Sequence, residues 1–156
     1  MSAERARAHL ESAGFAGRII IPAHSSATVA EAAEALGCTP GEIAKTLSFL
    51  QPEGPVLILV EGMCRIDNQK YRARFGCKAK MIPAAEVEAL IGHDVGGVCP
   101  FGINAGVTVY LDESLKRHAT VYPAAGSDHS AVKLTIAELE ACSGFSAWVD
   151  VCRPME

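Results

Sequence analysis

No stretch of this chain is long and apolar enough to span a membrane: although 49% of its 156 residues are hydrophobic, no run approaches the ~18 to 20 residues that a span needs. The opening Met1-Ser2-Ala3-Glu4-Arg5 lacks the basic-then-apolar order of a secretory signal, so a cytoplasmic protein is expected. The six cysteines, Cys38, Cys64, Cys77, Cys99, Cys142 and Cys152, include no CxxC pair and stand in no paired His spacing. This argues against a zinc site and against a secreted disulfide framework, and predicts free thiols. The GxxxxGK[ST] and GxGxxG spacings of nucleotide folds are missing. A net charge of -4 excludes a polyanion binder that works by overall basicity. There is no repeat, low-complexity tract or linker, and the length suits one core, so a single domain over residues 1–156 is expected.

What the chain does contain is dense punctuation. Three capping boxes, Thr28 with Glu31, Thr39 with Glu42 and Thr135 with Glu138, each pair an N-cap hydroxyl with a carboxylate three residues on. They predict helices to Leu36 and to about Cys142, and a short turn at Pro40. Further helices are predicted over Ala3 to Ala13, Asn68 to Phe75 and Pro83 to Ile91, each before a glycine. Strands are predicted at Arg18 to Ile21, Lys45 to Leu50, Val56 to Glu61, Lys78 to Ile82, Val107 to Leu111, Ala119 to Tyr122, Ala131 to Leu134 and Ala147 to Val151. Pro52-Glu53-Gly54-Pro55 reads as a hairpin turn. The class is therefore α/β, with α+β character and a mixed sheet.

Four features carry chemistry. In Lys45-Thr46-Leu47-Ser48-Phe49-Leu50, strand alternation places Lys45 on the face of Leu47 and Phe49. A lysine there sits at the strand mouth with its head in water, finds a partner, or lines a cavity for an anionic ligand. Gly96-Gly97-Val98-Cys99-Pro100-Phe101-Gly102 is either a plain connection or a loop whose N–H groups converge on an oxyanion or phosphate. Ala124-Ala125-Gly126-Ser127-Asp128-His129 is a polar turn in which His129 is either solvated or a proton donor or acceptor. Arg65, Lys70, Arg72, Arg74, Lys78 and Lys80 place six of the fourteen basic residues within sixteen positions, opposed by Asp67 alone. Such a run is a solvated helix face or a phosphate-facing patch.

Taken in order, His24, the Thr28-Val29-Ala30-Glu31-Ala32-Ala33 helix start, Lys45-Thr46-Leu47, the Gly97-Val98-Cys99-Pro100-Phe101-Gly102 loop and Ala125-Gly126 resemble the YbaK/ProX family of aminoacyl-tRNA deacylases. That family also occurs as the editing insertion of bacterial prolyl-tRNA synthetases. The resemblance spans roughly His24 to Leu139. It implies a mixed sheet curled into a partial barrel surrounded by helices, and hydrolysis of the ester joining a wrong, small amino acid to the 3′-terminal adenosine of a tRNA, such as tRNA(Pro).

By the same resemblance Lys45 would hold the terminal phosphate or ribose, while Gly97, Val98, Cys99 and Gly102 would form the catalytic loop around the carbonyl. His24, Thr46, Pro100, Phe101, Gly126 and His129 would contact substrate, and Met63 and Ile66 are candidate pocket walls. No cofactor or metal is implied. The implied partners are the tRNA 3′ acceptor end and a synthetase or elongation factor, with no role for a membrane or DNA. Many relatives carry serine where this loop has Cys99, so a cysteine hydrolase with His93 or His129 as base is an alternative. A catalytically silent tRNA-end or synthetase-binding module is another.

Overall fold

The Pro52-to-Pro55 turn reverses β2 (Ile43–Gln51) onto β3 (Gly54–Glu61), with Lys45 opposite Val60, Leu47 opposite Ile58 and Phe49 opposite Val56. In this computed structural model, which describes residues 2–22 and 28–155, that hairpin is the centre of a six-stranded sheet. On one side β5 (Thr108–Asp112) and then β9 (Ala147–Val149) add in parallel. On the other, β6 (Thr120–Pro123) adds in parallel and β8 (Leu134–Thr135) antiparallel. The order β8-β6-β2-β3-β5-β9 makes a curled, mixed α/β sheet.

Alternation along the hairpin decides what each face meets. Phe49, Val56, Ile58 and Val60 face a layer made with Tyr71, Val149 and Val151, and Leu47 packs at its edge. Ala44, Leu57 and Leu59 face the larger layer, which contains Ala6 and Leu10 of α1 (Ser2–Ala13), Val87 and Ile91 of α4 (Ala84–Ile91), and Leu139 of α5 (Ile136–Ser143). Leu57, Ile58, Leu59 and Val60 are wholly buried, each side chain stabilising by roughly 1.5 to 3 kcal/mol. This is where the fold's apolar burial is concentrated.

The capping boxes of Thr28 and Thr135 open α2 (Val29–Leu36) and α5, while that of Thr39 opens only a 3-10 turn, Pro40–Glu42. Asp67 caps α3 (Asn68–Phe75) by accepting from the amides of Gln69 and Lys70. All six cysteines are free. No helix among the described residues is long and apolar enough to cross a membrane.

Two elements depart from expectation. Residues 78–82 do not form a strand; they touch the edge of β2 through a single bridge, Met81 to Phe49, before Pro83 turns the chain into α4. Conversely, Cys64–Ile66 is a strand, β4, paired antiparallel with Cys152–Pro154, β10. A second ribbon joins Ile19–Ile20, β1, to Ala131–Val132, β7. The three-residue β4 is too short to show a period, and its partner lies more than eighty residues away, so no local signal marks it.

Candidate active site

A cleft opens where β2 loses its neighbour. β6 pairs only with Ile43 and Ala44, and the next strand-like contact begins at Ser48, whose carbonyl accepts from Ile82 N at 3.1 Å, while Leu50 N donates to Lys80 O at 2.9 Å. Between these contacts the edge of β2 at Lys45, Thr46 and Leu47 borders a cavity of about 570 Å³, a size suited to a small ligand or the end of a larger one. Val29, Ala32 and Leu36 of α2 form one wall. Val95, Gly96 and Val98 form another, and Ser127, Asp128 and His129 complete the rim.

Lys45 brings a charge to this edge. Its Nζ donates to the carbonyl of Cys64 at 2.6 Å, and the thioether of Met155 lies 3.9 Å away. Among the described residues no carboxylate pairs with it; the buried Glu61 nearby is engaged instead by His118 at 2.9 Å. Burial lowers the Lys45 pKa from the usual 10.5, an effect only partly offset by the surrounding sulfurs and Glu61. Next to it, Thr46 Oγ1 is enclosed with no hydrogen-bond partner among the described residues, an arrangement that costs stability unless a ligand or water completes it.

The loop is held by contacts that its own sequence does not reveal. Gly97 lies so close to Gly126 that a Cβ would overlap the Gly126 carbonyl, and Gly126, at φ +96°, is in turn pressed against the backbone of Ser2 and Ala3. Two glycines therefore let loop and turn touch backbone to backbone. One face of α1 clamps the far side. Arg5 donates to Gly92 O and to Asn104 Oδ1, both at 3.0 Å, and His9 Nδ1 accepts from Gly102 N at 3.0 Å. His93 Nε2 lies 2.6 Å from Phe101 O, and its Nδ1 lies 2.7 Å from Ser2 Oγ. A carbonyl can only accept, so Nε2 carries the proton and Nδ1 accepts from the serine hydroxyl. Ser2, Arg5 and His9 recur at helical spacing; the available signal was three polar side chains sharing a face with Ala6 and Leu10.

This neutral His93 has a measurable consequence. Burial lowers its pKa below the ordinary 6.5, helped by Arg5 and His9 and opposed by the Phe101 carbonyl and Asp94. The unfolded chain then takes up the proton first as pH falls, so stability is complete above about pH 6.5 and declines between there and the lower folded pKa. Thermal unfolding followed from about pH 7.5 to pH 5 should show this decline, and His93→Gln should flatten it.

The cleft gathers some of the residues singled out from the sequence and not others. Lys45, Thr46, Val98 and His129 line it, and Gly97 and Gly126 join its loop and turn backbone to backbone. His24 lies outside the described residues, between Pro22 and Thr28, both of which line the cleft. Cys99, Pro100, Phe101 and Gly102 do not line it; Cys99 and Phe101 are fully buried in the larger core layer, and Gly102 packs on the backbone of Arg5. Pro100-Phe101 turns inward and plugs the core beside the cleft. Met63 and Ile66 are also not walls of the cleft, Met63 being exposed and Ile66 packed beneath the β4–β10 ribbon.

Burial pushes the Cys99 thiol up to about 12, so it is neither ionised nor accessible as a nucleophile. Its sulfur instead lies 3.5 Å from His93 Nε2 and meets the Gly126 amide, joining loop to turn. Nor is Ser127-Asp128-His129 a triad. His129 Nδ1 lies 3.1 Å from Asp128 Oδ1, whereas Ser127 Oγ donates to Ser130 Oγ at 2.9 Å. Among the described residues no group of three His, Cys, Asp or Glu side chains is placed to hold a metal ion.

The model of the aminoacyl-tRNA editing domain matches residues 23–142. The chain belongs to that family. The uncharacterized protein YwhH of Bacillus subtilis is 50% identical to this editing domain over 134 residues, 85% of each chain. EbsC of Enterococcus faecalis, provisionally assigned as a Cys-tRNA(Pro)/Cys-tRNA(Cys) deacylase, is 30% identical over 104 residues, 65% of this chain and 63% of that protein. A solved structure provisionally assigned as a trans-editing enzyme for prolyl tRNA synthetase superposes with a TM-score of 0.88 at 34% identity, covering 97% of both chains. The α1 clamp on the loop lies before the matched segment of the editing domain.

Proposed function

We propose that this editing domain acts in trans to hydrolyse the ester between a small noncognate amino acid and the 3′-terminal adenosine of a mischarged tRNA. The observation that carries the reading is Lys45: a half-buried ammonium whose partners among the described residues are a carbonyl and a thioether, with no carboxylate, on the open edge of a cleft walled by Val29, Ala32, Ala44, Val98, Ala124 and Ala131. An ammonium so placed suits a phosphate or ribose oxygen, and the apolar walls, which also include Leu36, Ile43 and Tyr122, suit an uncharged side chain.

Water attacks the carbonyl, the tetrahedral oxyanion collapses, the ester C–O bond breaks, and the ribose 3′ oxygen leaves with a proton while the amino acid departs as its acid. An aminoacyl ester is already reactive, so positioning and charge stabilisation suffice without a protein nucleophile. In the 3-10 turn Val95–Gly97 the Gly97 amide donates to Asp94 O at 2.9 Å, which leaves the amides of Val95 and Gly96, not capped by the Asp94 side chain, for the oxyanion. A synthetase is the natural source of the mischarged tRNA and a candidate partner.

The test is deacylation of tRNA(Pro) and other tRNAs charged with alanine, cysteine, serine, threonine and proline. Turnover on one small amino acid is expected, and Cys99→Ser should retain it within a fewfold, since a hydroxyl can make the contacts of the buried thiol. Loss of activity in Cys99→Ser, in a variant that melts like the wild type, would restore the cysteine-hydrolase reading. Binding of tRNA without turnover on any ester would leave a binding module.

A further inference from the structure

The basic run that composition left open between a solvated face and a phosphate surface is joined to the cleft by the β4–β10 ribbon. Lys45 Nζ donates to Cys64 O at 2.6 Å from the cleft side, and Lys70 Nζ of α3 donates to Cys152 O at 2.9 Å from the other. Cys64, Ile66 and Cys152 of the ribbon point into the core layer, so the alternate residues, Arg65 and Arg153, point outward. These two arginines are direct cross-strand partners, and both are exposed with no carboxylate or hydrogen-bond partner among the described residues. Like charges directly opposite one another destabilise a strand pair; a bound anion removes that repulsion.

The positive surface continues beyond the ribbon. Arg72 and Lys78, likewise without ion-pair partners among the described residues, border a second cavity of about 330 Å³ with Asn68 and Gln69. The nearby carboxylates are committed, Asp67 to capping α3 and Asp150 to Lys70 at 3.2 Å. In a chain of net charge -4 such a concentration orients an approaching polyanion.

We propose that the outer face of the β4–β10 ribbon and α3 is the surface on which the acceptor end of tRNA lies, with Arg65, Arg153, Arg72 and Lys78 holding backbone phosphates of the strand that leads to the 3′ end at Lys45. This inference rests on the proposed function for the end of the track, but its own evidence is the ribbon. These contacts set register without reading sequence.

The test uses the double variants Arg65→Ala/Arg153→Ala and Arg72→Ala/Lys78→Ala. Binding of an uncharged tRNA(Pro) transcript, measured across a salt series, should weaken roughly threefold to tenfold in each, with the slope of log K against log salt reduced by about two. KM for mischarged tRNA should rise while kcat holds, and hydrolysis of an aminoacyl ester of adenosine alone, which carries no phosphate for these side chains to hold, should be unchanged. Removing the opposed arginines should leave the melting temperature equal or higher, which separates this result from misfolding. Unchanged transcript binding, or an equal loss on the adenosine ester, overturns the proposal. Should wild type deacylate nothing while the transcript still binds through these residues, the surface stands and the hydrolase reading falls.

Discussion

Replacing Lys45 with methionine is expected to reduce deacylation by roughly two to three orders of magnitude, the range seen when one preorganised charge-stabilising donor is removed from a site, while leaving the fold in place. Methionine keeps much of the aliphatic stem and removes the ammonium, whose burial is unfavourable in the free protein. The melting temperature should therefore hold or rise, unlike that of a variant that loses activity by unfolding. Lys45→Ala should behave alike in activity and less well in stability, because it also empties the edge of the layer beside Leu47 and Phe49. An unimpaired Lys45→Met enzyme would remove the residue from the site.

The same lysine predicts opposite signs for activity and stability at alkaline pH. Because the folded protein holds the Lys45 proton less tightly than the unfolded chain, whose lysine titrates near 10.5, the unfolded state binds more protons between the lowered pKa and that value. Stability from this group then rises with pH across the interval. Activity that depends on the ammonium falls across the same interval. A rate profile that declines while thermal stability attributable to Lys45 rises, both effects vanishing in Lys45→Met, would separate this titration from general alkaline unfolding.

How far these features could be read from the chain depends on how local their causes are. A capping box closes within four residues, so Thr28 and Thr135 announce their helices wherever the helices lie. Alternation likewise fixes Lys45 on the face of Leu47 and Phe49, and the register with Val60, Ile58 and Val56 agrees. Lys45, the glycine loop and the Ser127-to-His129 turn were visible one by one. Their meeting in one cleft follows from β6 pairing with the first two residues of β2 and then departing, a long-range fact with no local mark. The α1 clamp and the β4–β10 ribbon were illegible for the same reason. The inward turn of Cys99 and Phe101 was obscured differently: glycines and a proline mark irregular backbone, but not which side of it is wet. Overlap with α1 explains the outcome, since Gly102 lies against Arg5 and Phe101 meets His9 edge-on at 5.6 Å.

Gly97→Ala should be the most damaging single-methyl change in the loop. The added Cβ would overlap the carbonyl of Gly126, and because the obstacle is backbone, no rotamer change relieves it. Gly126 cannot retreat, since its other side is packed on Ser2 and Ala3. Loop and turn must therefore separate, with a stability loss of about 1 to 3 kcal/mol typical of overpacking, or roughly 3 °C in melting temperature per kcal/mol for a chain of this size. The larger effect falls on catalysis: a displacement of about 1 Å can cost on the order of a hundredfold, and Val98, which lines the cleft, moves with the loop. Gly96→Ala is the control. Its Cβ would lie 3.0 Å from Asp128 Cβ and meet no closer atom, a contact that a shift of a few tenths of an ångström in the exposed turn relieves, so activity should fall only a fewfold. Comparing kcat and melting temperature of the two variants tests whether the loop works through its contact with the turn; equal, small effects would show that it does not.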